Sequence, residues 1–293
     1  MSSSLTRKGD KPRGRTIDLK LAHSPDSDDA FMFYALATKK ISTGNLKFSH
    51  VLEDIESLNQ KARQGVYDIT AISFHAYAYL ADQYALLPCG ASFGERYGPV
   101  VVARNRLGAD GLRGKRVAVP GKMTTAFLAL QLYEPEFEPR FVPFDRVLDS
   151  VTQGEVDAGV VIHEGQLTYA SEGLTKVVDL GEWWHQQTGL PLPLGGNAVR
   201  RSHHRRTIQQ ISKLLKASIQ YSLDHREEAL AYALQFARGL DTATADRFVS
   251  MYVNEWTLDY GERGRNAVQA LLDRGFEKGI LPHSVKAEFV GPS

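Results

Sequence analysis

Short apolar runs alternate along this chain with longer amphipathic runs, and the same alternation occurs twice. The short runs favour β-strands and the longer runs favour α-helices. Strands are predicted at 17–22, 46–52, 69–73, 116–120, 140–144 and 158–162, and helices at 28–39, 54–64, 124–133 and 145–153. The last strand of each set is apolar throughout, as is typical of a strand buried on both faces. The pattern predicts an α/β fold, in which helices cover the sheets.

The two sets are similar enough to indicate a diverged repeat. Asp54 opens a helix in the first set, and Asp145 opens the corresponding helix in the second. Gly65 and Gly154 end these helices, each three residues ahead of an aspartate that leads into an apolar strand. Strand–helix–strand units also resemble each other for purely physical reasons. The shared spacing nevertheless favours two lobes of common design.

The length of the chain, 293 residues, exceeds the usual size of one domain and agrees with two lobes. The run 98–104 is expected to cross from lobe one to lobe two, and the run 195–200 to return. Helices predicted at 208–223, 226–237, 243–254 and 264–278 would then pack on lobe one. We divide the chain into a flexible tail (1–15), lobe one (16–103 plus 200–293) and lobe two (104–199), with a central ligand cleft and a hinge.

Charge and cysteine content exclude several classes of partner and cofactor. Lys plus Arg total 35 and Asp plus Glu total 34, a net charge of +1. This balance favours neither a nucleic acid nor a membrane surface as partner. The single cysteine, Cys89, excludes an internal disulfide and a cysteine-based zinc site. No apolar stretch of about 18 residues is present, and no apolar core follows the basic tail, so we expect a cytoplasmic protein without a membrane span.

Ligands of open α/β sheets bind beyond the carboxyl ends of the strands. His163, followed by Glu164, comes directly after the last strand of the second set. An imidazole exchanges protons near neutral pH, so His163 is the leading candidate for a general base. The alternative is a structural histidine whose ring is hydrogen-bonded to backbone. His23 and His75 follow the first and third strands and could also line the cleft.

Two further groups of polar residues follow predicted strands. Thr124 and Thr125 begin a helix, where free N–H groups and the helix dipole favour an anion such as a ligand carboxylate. An ordinary helix cap explains these threonines equally well. Asp26, Asp28 and Asp29 form an acidic cluster at the start of the first predicted helix. Helix capping is a better explanation of this cluster than a metal site.

Several segments, in order along the chain, carry a resemblance to a known family. They are Ser24-Pro25 with Asp29 and FMFYAL at 31–36, VLEDIESLN at 51–59, VPGKMTTA at 119–126, IHEGQLTY at 162–169 and GLPLPLG at 189–195. Together they resemble the 1,4-dihydroxy-6-naphthoate synthases, a family of menaquinone-pathway enzymes, from about residue 19 to residue 201. Motifs in this order over this length are far more specific than any one of them.

The resemblance implies a two-lobed, periplasmic-binding-protein-like (type II) fold in a protein that works inside the cell. It implies a lyase that converts cyclic dehypoxanthinyl futalosine, a small carboxylate, to 1,4-dihydroxy-6-naphthoate without a metal or an organic cofactor. The histidine of the Ile-His-Glu motif, His163 here, is the general base. The substrate-binding positions implied by the family are Ala71, Ile72, Ser73, Thr125, Ala126 and Asn59.

One segment departs from the family pattern. Where the family commonly has Cys-Pro-Asn-Asp-Thr after Ser-Pro, residues 26–30 read DSDDA and retain only Asp29. Two added carboxylates in a cleft would weaken its affinity for an anionic substrate. The identity of the substrate is therefore less constrained by the sequence than the fold is.

Two alternatives to this function remain open. One is chorismate dehydratase, the sister enzyme of the same pathway and fold, against which the motif at 162–165 argues. The other is a protein that binds a small carboxylate without converting it, as a sensor does. The sequence also leaves the oligomeric state open, because the C-terminal helices with Phe248 and Trp256 could form a homodimer surface or pack on lobe one.

Overall fold

Two mixed β-sheets form the framework of the computed structural model, which describes residues 16–108, 111–237 and 240–290. The predicted tail, 1–15, lies outside the described residues. Sheet A has the strand order β2-β1-β3-β11-β4, with β5 also paired to β11. Its strands are β1 (Ile17–His23), β2 (Leu46–Leu52), β3 (Ile69–Ser73), β4 (Tyr84–Leu86), β5 (Ser92–Gly94) and β11 (Leu192–Arg200). Sheet B has the order β10-β6-β9-β7-β8. Its strands are β6 (Val100–Ala103), β7 (Arg116–Val119), β8 (Glu138–Phe141), β9 (Ala158–Val161) and β10 (Thr175–Asp179).

The two sheets follow the same plan. In sheet A, β1 runs parallel to β2 and β3, and β3 pairs antiparallel with β11. In sheet B, β7 runs parallel to β8 and β9, and β9 pairs antiparallel with β6. Each sheet therefore contains two strand–helix–strand units and a strand that pairs antiparallel with the last of their strands; this strand follows the units in sheet A and precedes them in sheet B. The common design inferred from the repeated spacing is present in the strand order.

Helices cover both sheets, as the apolar periodicity predicts. They are α1 (Ser27–Ala37), α2 (Ile55–Arg63), α3 (Phe74–Tyr77), α4 (Thr125–Tyr133), α5 (Val147–Thr152), α6 (Gly165–Thr168), α7 (Leu180–Thr188), α8 (Arg205–Asp224), α9 (Arg226–Ala233), α10 (Thr242–Tyr252), α11 (Glu255–Leu258) and α12 (Gly261–Glu277). The predicted α/β class is confirmed.

The strand predicted at 140–144 lies earlier, at β8, and the following helix begins with a single 3₁₀ turn over Phe144–Arg146. Pro143 precedes this turn. A proline lacks the N–H that would continue a strand ladder, so the strand ends before it. Elsewhere the predicted elements agree with the structure to within a few residues at their ends.

The C-terminal helices pack on sheet A and its first helix. α8 and α9 contact α1, and α10 and α11 contact β5. Phe248 is buried next to Tyr252, and the ring of Trp256 lies 5.7 Å from the ring of Phe93 in β5. Both aromatic side chains thus pack within this chain. Packing within the chain, and not a homodimer surface, is the alternative that these contacts support.

The chain passes from sheet A to sheet B between β5 and β6 and returns to sheet A between β10 and β11. β6 pairs within sheet B and β11 pairs within sheet A. The division into lobe one (16–103 plus 200–293) and lobe two (104–199) stays a proposal. Within the described ranges, no helix is both long enough and apolar enough to cross a membrane.

Candidate active site

A cavity lies between residues that follow strands of the two sheets, and its empty space of about 790 Å³ includes solvent at its open mouth. Sheet A contributes the loop after β1, the end of β3 and the middle of β11. Sheet B contributes the start of α4 and Ile162, directly after β9. The residues named below that line the cavity are Ser24, Asp26, Asp28, Asp29, Ala71, Ile72, Ser73, Gly90, Ser92, Thr124, Thr125, Ala126, Ile162, Asn197 and Tyr252. Their positions agree with the general placement of ligands beyond strand ends.

The end of β3 forms one wall of the cavity. Ala71, Ile72 and Ser73 are the last residues of this strand, and all three line the cavity. β3 is buried along its entire length because it lies between β1 and β11. The strand therefore holds these positions rigidly, with Ser73 as the one hydroxyl among them.

Asn59 lies behind this wall and not on it. Its Nδ2 donates to Ser73 Oγ at 3.0 Å, and its Oδ1 accepts from the Ser73 backbone N–H at 2.9 Å. Asn59 is completely buried on α2. The structure thus brings Asn59 to the site as a support for Ser73.

The start of α4 forms the opposing wall. Thr124 is the N-cap residue: its Oγ1 accepts from the Phe127 N–H at 3.2 Å and donates to the Gly121 carbonyl at 3.0 Å. Thr125 Oγ1 accepts from the backbone N–H of His75 at 3.2 Å. The N–H groups of a first helical turn have no acceptor within the helix. Thr124 therefore acts as the ordinary cap, while Thr125 and Ala126 present the helix N-terminus to the cavity.

His163 stands just beyond β9, next to the cavity-lining Ile162. Within the described structure His163 is not itself part of the cavity wall. Its ring is mostly buried, with its centroid 5.6 Å from that of Phe144, and its Nδ1 accepts from the Gly165 N–H at 3.0 Å. In the neutral ring this contact leaves the proton on Nε2. Nδ1 also lies 3.9 Å from the Glu164 carboxylate.

The other two candidate histidines have structural surroundings. His23 stacks on Phe33 and donates from Nδ1 to the Ser24 carbonyl at 3.0 Å. Burial lowers the pKa of His23 to about 3. His75 donates from Nδ1 to the Thr124 carbonyl at 3.1 Å, and burial lowers its pKa to about 4. Both rings are therefore neutral at physiological pH, and neither is part of the wall of this cavity in the described structure.

The acidic cluster does not cap α1 as expected. The Asp26 carboxylate accepts from Ser24 Oγ at 3.0 Å, and the Asp29 carboxylate accepts from the Ser24 N–H at 2.7 Å. Asp26 is the N-cap residue by position, but its side chain does not make the cap hydrogen bond to the first turn of α1. The cluster instead holds the loop that precedes α1, since its carboxylates reach back to Ser24.

Burial also changes the charge that this cluster carries. It raises the pKa of Asp29 to about 7, and the nearby Asp26 charge adds to this effect. The pKa of Asp28 is raised well above its ordinary value by burial and by the charges of Asp29, Asp26 and Glu164. The Asp28–Asp29 pair therefore keeps a proton near neutral pH. Because of this proton, the loop repels an anionic ligand less strongly than three ionised aspartates would.

Several contacts join elements of sheet A to elements of sheet B around the cavity. Ser27 Oγ at the start of α1 donates to the buried Glu164 carboxylate at 3.2 Å. Tyr252 Oη on α10 donates to Gln166 Oε1 on α6 at 2.7 Å. Glu56 on α2 accepts from the Met123 N–H at 2.9 Å. Each contact ties a cavity wall from one sheet to a wall from the other.

The Glu56 contact depends on the absence of a side chain at Gly121. A Cβ added at this glycine would lie 2.4 Å from Glu56 Oε2. The sequence does not reveal the close approach of Glu56 to Gly121, because the two residues are 65 positions apart along the chain.

Sequence reasoning missed Asn197 and Tyr252 as cavity residues. Tyr252 lies on a C-terminal helix that was expected only to pack on lobe one. Asn197 follows two glycines within β11, and glycines inside a strand often mark a close approach of backbone or ligand. That signal could have identified Asn197. Cys89 is buried, which raises the pKa of its thiol to about 12.

The donor set suits an organic ligand. Across the described part of the chain, no group of three or more His, Cys, Asp or Glu side chains is arranged to hold a metal ion. The cavity presents hydroxyl groups, backbone N–H groups and carboxyl groups on an otherwise mostly apolar surface. Such walls, apolar with a few convergent polar groups, are typical of small-molecule sites.

Two sheets of matching strand order, with a ligand-sized cavity between them, define a protein of the periplasmic-binding-protein-like class. The periplasmic aliphatic sulphonate binding protein of Escherichia coli superposes with a TM-score of 0.65 at 13% identity, over 92% of this chain and 95% of that one. This similarity concerns the fold alone. A family model described as menaquinone biosynthesis matches residues 19–277, and the chain belongs to this family.

Two relatives agree with the family assignment. The 1,4-dihydroxy-6-naphthoate synthase of Thermus thermophilus is 43% identical over 272 residues, which cover 93% of this chain and 99% of the relative. A crystal structure of a protein from Archaeoglobus fulgidus is 47% identical, with a TM-score of 0.87, over 90% of this chain and 98% of that one. The expected fold and the resemblance at the level of family are both confirmed.

Proposed function

We propose that this protein is a carbon–carbon lyase that converts cyclic dehypoxanthinyl futalosine to 1,4-dihydroxy-6-naphthoate. One observation carries the proposal. In a chain 43% identical to a synthase of that name, the end of β3 and the start of α4 line the same cavity. We propose a cytoplasmic location for the reaction, which fractionation of cells would test.

The start of α4 is the proposed site for the substrate carboxylate. The N–H groups of Thr125 and Ala126 lie in the first helical turn, where the helix dipole favours a negative charge. The Thr125 hydroxyl accepts from His75, so its own proton is available to a carboxylate oxygen. These donors orient the carboxylate without a full positive charge in the cavity wall.

Ser73 is proposed to orient the substrate from the opposite wall. Its hydroxyl accepts from Asn59 Nδ2, which leaves the hydroxyl proton for a substrate oxygen. Because Asn59 holds Ser73 at both its side chain and its backbone, the donor needs little reorganisation when the substrate binds. Ala71 and Ile72 supply apolar contact for the ring.

His163 is proposed to act as the general base. It would accept a proton from a substrate hydroxyl, and the O–H electrons would form a carbonyl as the adjacent C–C bond breaks in a retro-aldol-type step. The electrons of the broken bond would pass into the ring system that becomes aromatic. The resulting imidazolium would lie beside the Glu164 carboxylate, an attractive arrangement of charges.

The geometry of His163 requires one movement before this step. The Nδ1 lone pair accepts the Gly165 N–H in the structure, so the base must be freed by rotation of the ring or by a shift of α6. Two hydrogen bonds, Ser27–Glu164 and Tyr252–Gln166, join the segment around His163 to helices that pack on sheet A. We propose that substrate binding moves this segment, brings the imidazole to the cavity and excludes water.

A direct turnover assay tests the proposed function. Purified protein is incubated with cyclic dehypoxanthinyl futalosine, and with chorismate in a parallel reaction, and the products are identified by mass spectrometry. We expect 1,4-dihydroxy-6-naphthoate from the first reaction and no product from the second. Turnover of chorismate alone would assign the sister enzyme. Tight binding of either compound without turnover would instead assign a binding protein or sensor.

A further inference from the structure

Asn197 occupies the middle of the cavity floor. It lies on β11, directly opposite Ala71 of β3, and it lines the cavity although it is 1% exposed. Its backbone carbonyl accepts from the Leu87 N–H at 2.8 Å, so the strand position is held from both sides. An asparagine here places a polar amide among backbone and apolar groups.

The orientation of this amide follows from one contact. Asn197 Nδ2 donates to the Gly90 carbonyl at 2.8 Å. A carbonyl only accepts hydrogen bonds, so the amide oxygen cannot take the place of the nitrogen there. Gly90 also permits the approach: its φ is +78°, and an added Cβ would lie 2.4 Å from Asn197 Nδ2.

The amide oxygen of Asn197 is the remaining polar atom. Oδ1 is buried and has no hydrogen-bond partner among the described residues. Buried side-chain oxygens in native proteins nearly always have a donor. A ligand in the cavity that supplies a donor would satisfy this atom.

The surrounding wall offers further acceptors. Asp26 and Asp28 line the same cavity on the loop before α1, and Ser92 lies beside Gly90 on the same wall. The start of α4, in contrast, offers N–H donors to the opposite end of a ligand. The cavity wall therefore carries N–H donors at the start of α4 and an acceptor, the amide oxygen, at Asn197.

We propose that Asn197 Oδ1 accepts a hydrogen bond from a ligand hydroxyl and so determines which substrates the site takes. The preferred ligand is a monocarboxylate with its carboxylate at the start of α4 and a hydroxyl-bearing portion at Asn197. A second carboxylate at Asn197 would face the amide oxygen, which cannot donate to it, and would be rejected. This inference rests on the proposed function, because it names the recognition of the same substrate.

The experiment compares cyclic dehypoxanthinyl futalosine with analogues that each lack one hydroxyl. Affinity is measured by calorimetry and turnover by product formation, for the native protein and for Asn197→Ala. In the native protein we expect one analogue to bind roughly 10–100-fold more weakly than the parent compound, the scale for a lost hydrogen bond to a buried group. In Asn197→Ala the same pair of ligands should differ by less than about threefold.

A matched control is Asn266→Ala, which removes an exposed amide on α12 and should leave the discrimination unchanged. If Asn197→Ala does not fold, the analogue series with the native protein carries the test. Equal affinities for all analogues would overturn the role of Asn197. The same pattern of discrimination in Asn197→Ala as in the native protein would overturn it too.

The outcomes also separate this inference from the proposed function. Discrimination among the analogues that is lost in Asn197→Ala, without any product from either protein, would overturn the lyase function and retain the role of Asn197. Product formation without discrimination would retain the lyase function and overturn the role of Asn197. Absence of both binding and turnover, in a protein shown to be folded, would overturn both.

Discussion

Asn59 holds Ser73 at two points, donating to its Oγ at 3.0 Å and accepting from its backbone N–H at 2.9 Å. Both residues are buried, and their contact joins α2 to the end of β3. A donor held in this way keeps one orientation toward the cavity. The contact also links the stability of the protein to the geometry of the site.

Asn59→Ala removes both hydrogen bonds and leaves the buried Ser73 N–H without an acceptor. We expect the free energy of unfolding to fall by about 1–3 kcal/mol, the cost of an unsatisfied buried donor, as measured by urea denaturation. KM should rise because Ser73 is no longer oriented. Gln60→Ala, on the same helix but bonded only to Glu56, should change the stability by less than about 0.5 kcal/mol. A similar loss in both variants would contradict the specific role of Asn59.

His163→Ala removes the proposed general base. We expect kcat to fall roughly 10²–10⁴-fold, the usual contribution of a positioned base, with a smaller change in substrate affinity. Single-turnover product formation and calorimetric binding separate the two effects. His283→Ala, at an exposed position near the C-terminus, is the matched control and should retain full turnover. A His163→Ala protein with unaltered kcat would remove this residue from the mechanism.

Thr124→Ala removes the side chain that caps α4. We expect the free energy of unfolding to fall by about 1 kcal/mol, because the Phe127 N–H loses its acceptor. Thr124→Ser retains the hydroxyl and should restore most of that stability. Thr125→Ala should act differently: it should weaken substrate binding, and its cost of about 1–3 kcal/mol in stability should come from the buried His75 N–H that loses its acceptor. Thermal and chemical unfolding, together with calorimetric titration, distinguish the two threonines, and equal effects on binding would argue against this division of roles.

The acidic loop makes the stability depend on pH. The folded-state pKa values of Asp28 and Asp29 are raised, that of Asp29 to about 7, so the folded protein binds more protons than the unfolded chain between about pH 4 and pH 7. The stabilising effect of these protons is present at the acid end of this window and is lost as the pH rises through it. Asp28→Asn removes one ionisation and restores the amide of the family pattern. The free energy of unfolding of Asp28→Asn should therefore exceed that of the native protein by an amount that grows from about pH 5 to about pH 8.

Urea denaturation of both proteins across this range measures that difference directly. Comparing the variant with the native protein cancels the opposite trend of the buried histidines. The pKa values of His23 and His75 are lowered, so their contribution is lost as the pH falls below about 6.5. A stability difference that stays constant with pH would show that Asp28 ionises normally.

Tyr252→Phe tests the contact between α10 and α6. The substitution leaves Gln166 Oε1 without its buried donor, so we expect a loss of about 1–3 kcal/mol in the free energy of unfolding. kcat should also fall, because α6 begins two residues after His163. Tyr221→Phe, on α8 away from the cavity, is the control for loss of a phenol hydroxyl. Unchanged kcat in Tyr252→Phe would show that this contact does not position the base.

The cavity could be located from the sequence because the ends of strands are predicted by the local pattern of apolar residues. The apolar runs 69–73 and 158–162 marked two buried strands, and the residues at or just beyond their ends include Ser73 and Ile162. Sequence reasoning did less well where the role of a side chain depends on the conformation that the folded loop adopts. The carboxylates of Asp26 and Asp29 suited a helix cap by position, yet the fold turns them back to Ser24.

The alternation of apolar and amphipathic runs by itself determined the α/β class, the repeat and most of the helices and strands, since each reflects the chemistry of neighbouring residues. Only the tertiary structure decided that Asn59 supports Ser73, that the Asp28–Asp29 pair keeps a proton, and that Asn197 reaches the cavity floor. These properties depend on burial and on contacts between segments that are distant along the chain. Such contacts exist only once β3 has paired with β11 and the two sheets have come together around the cavity.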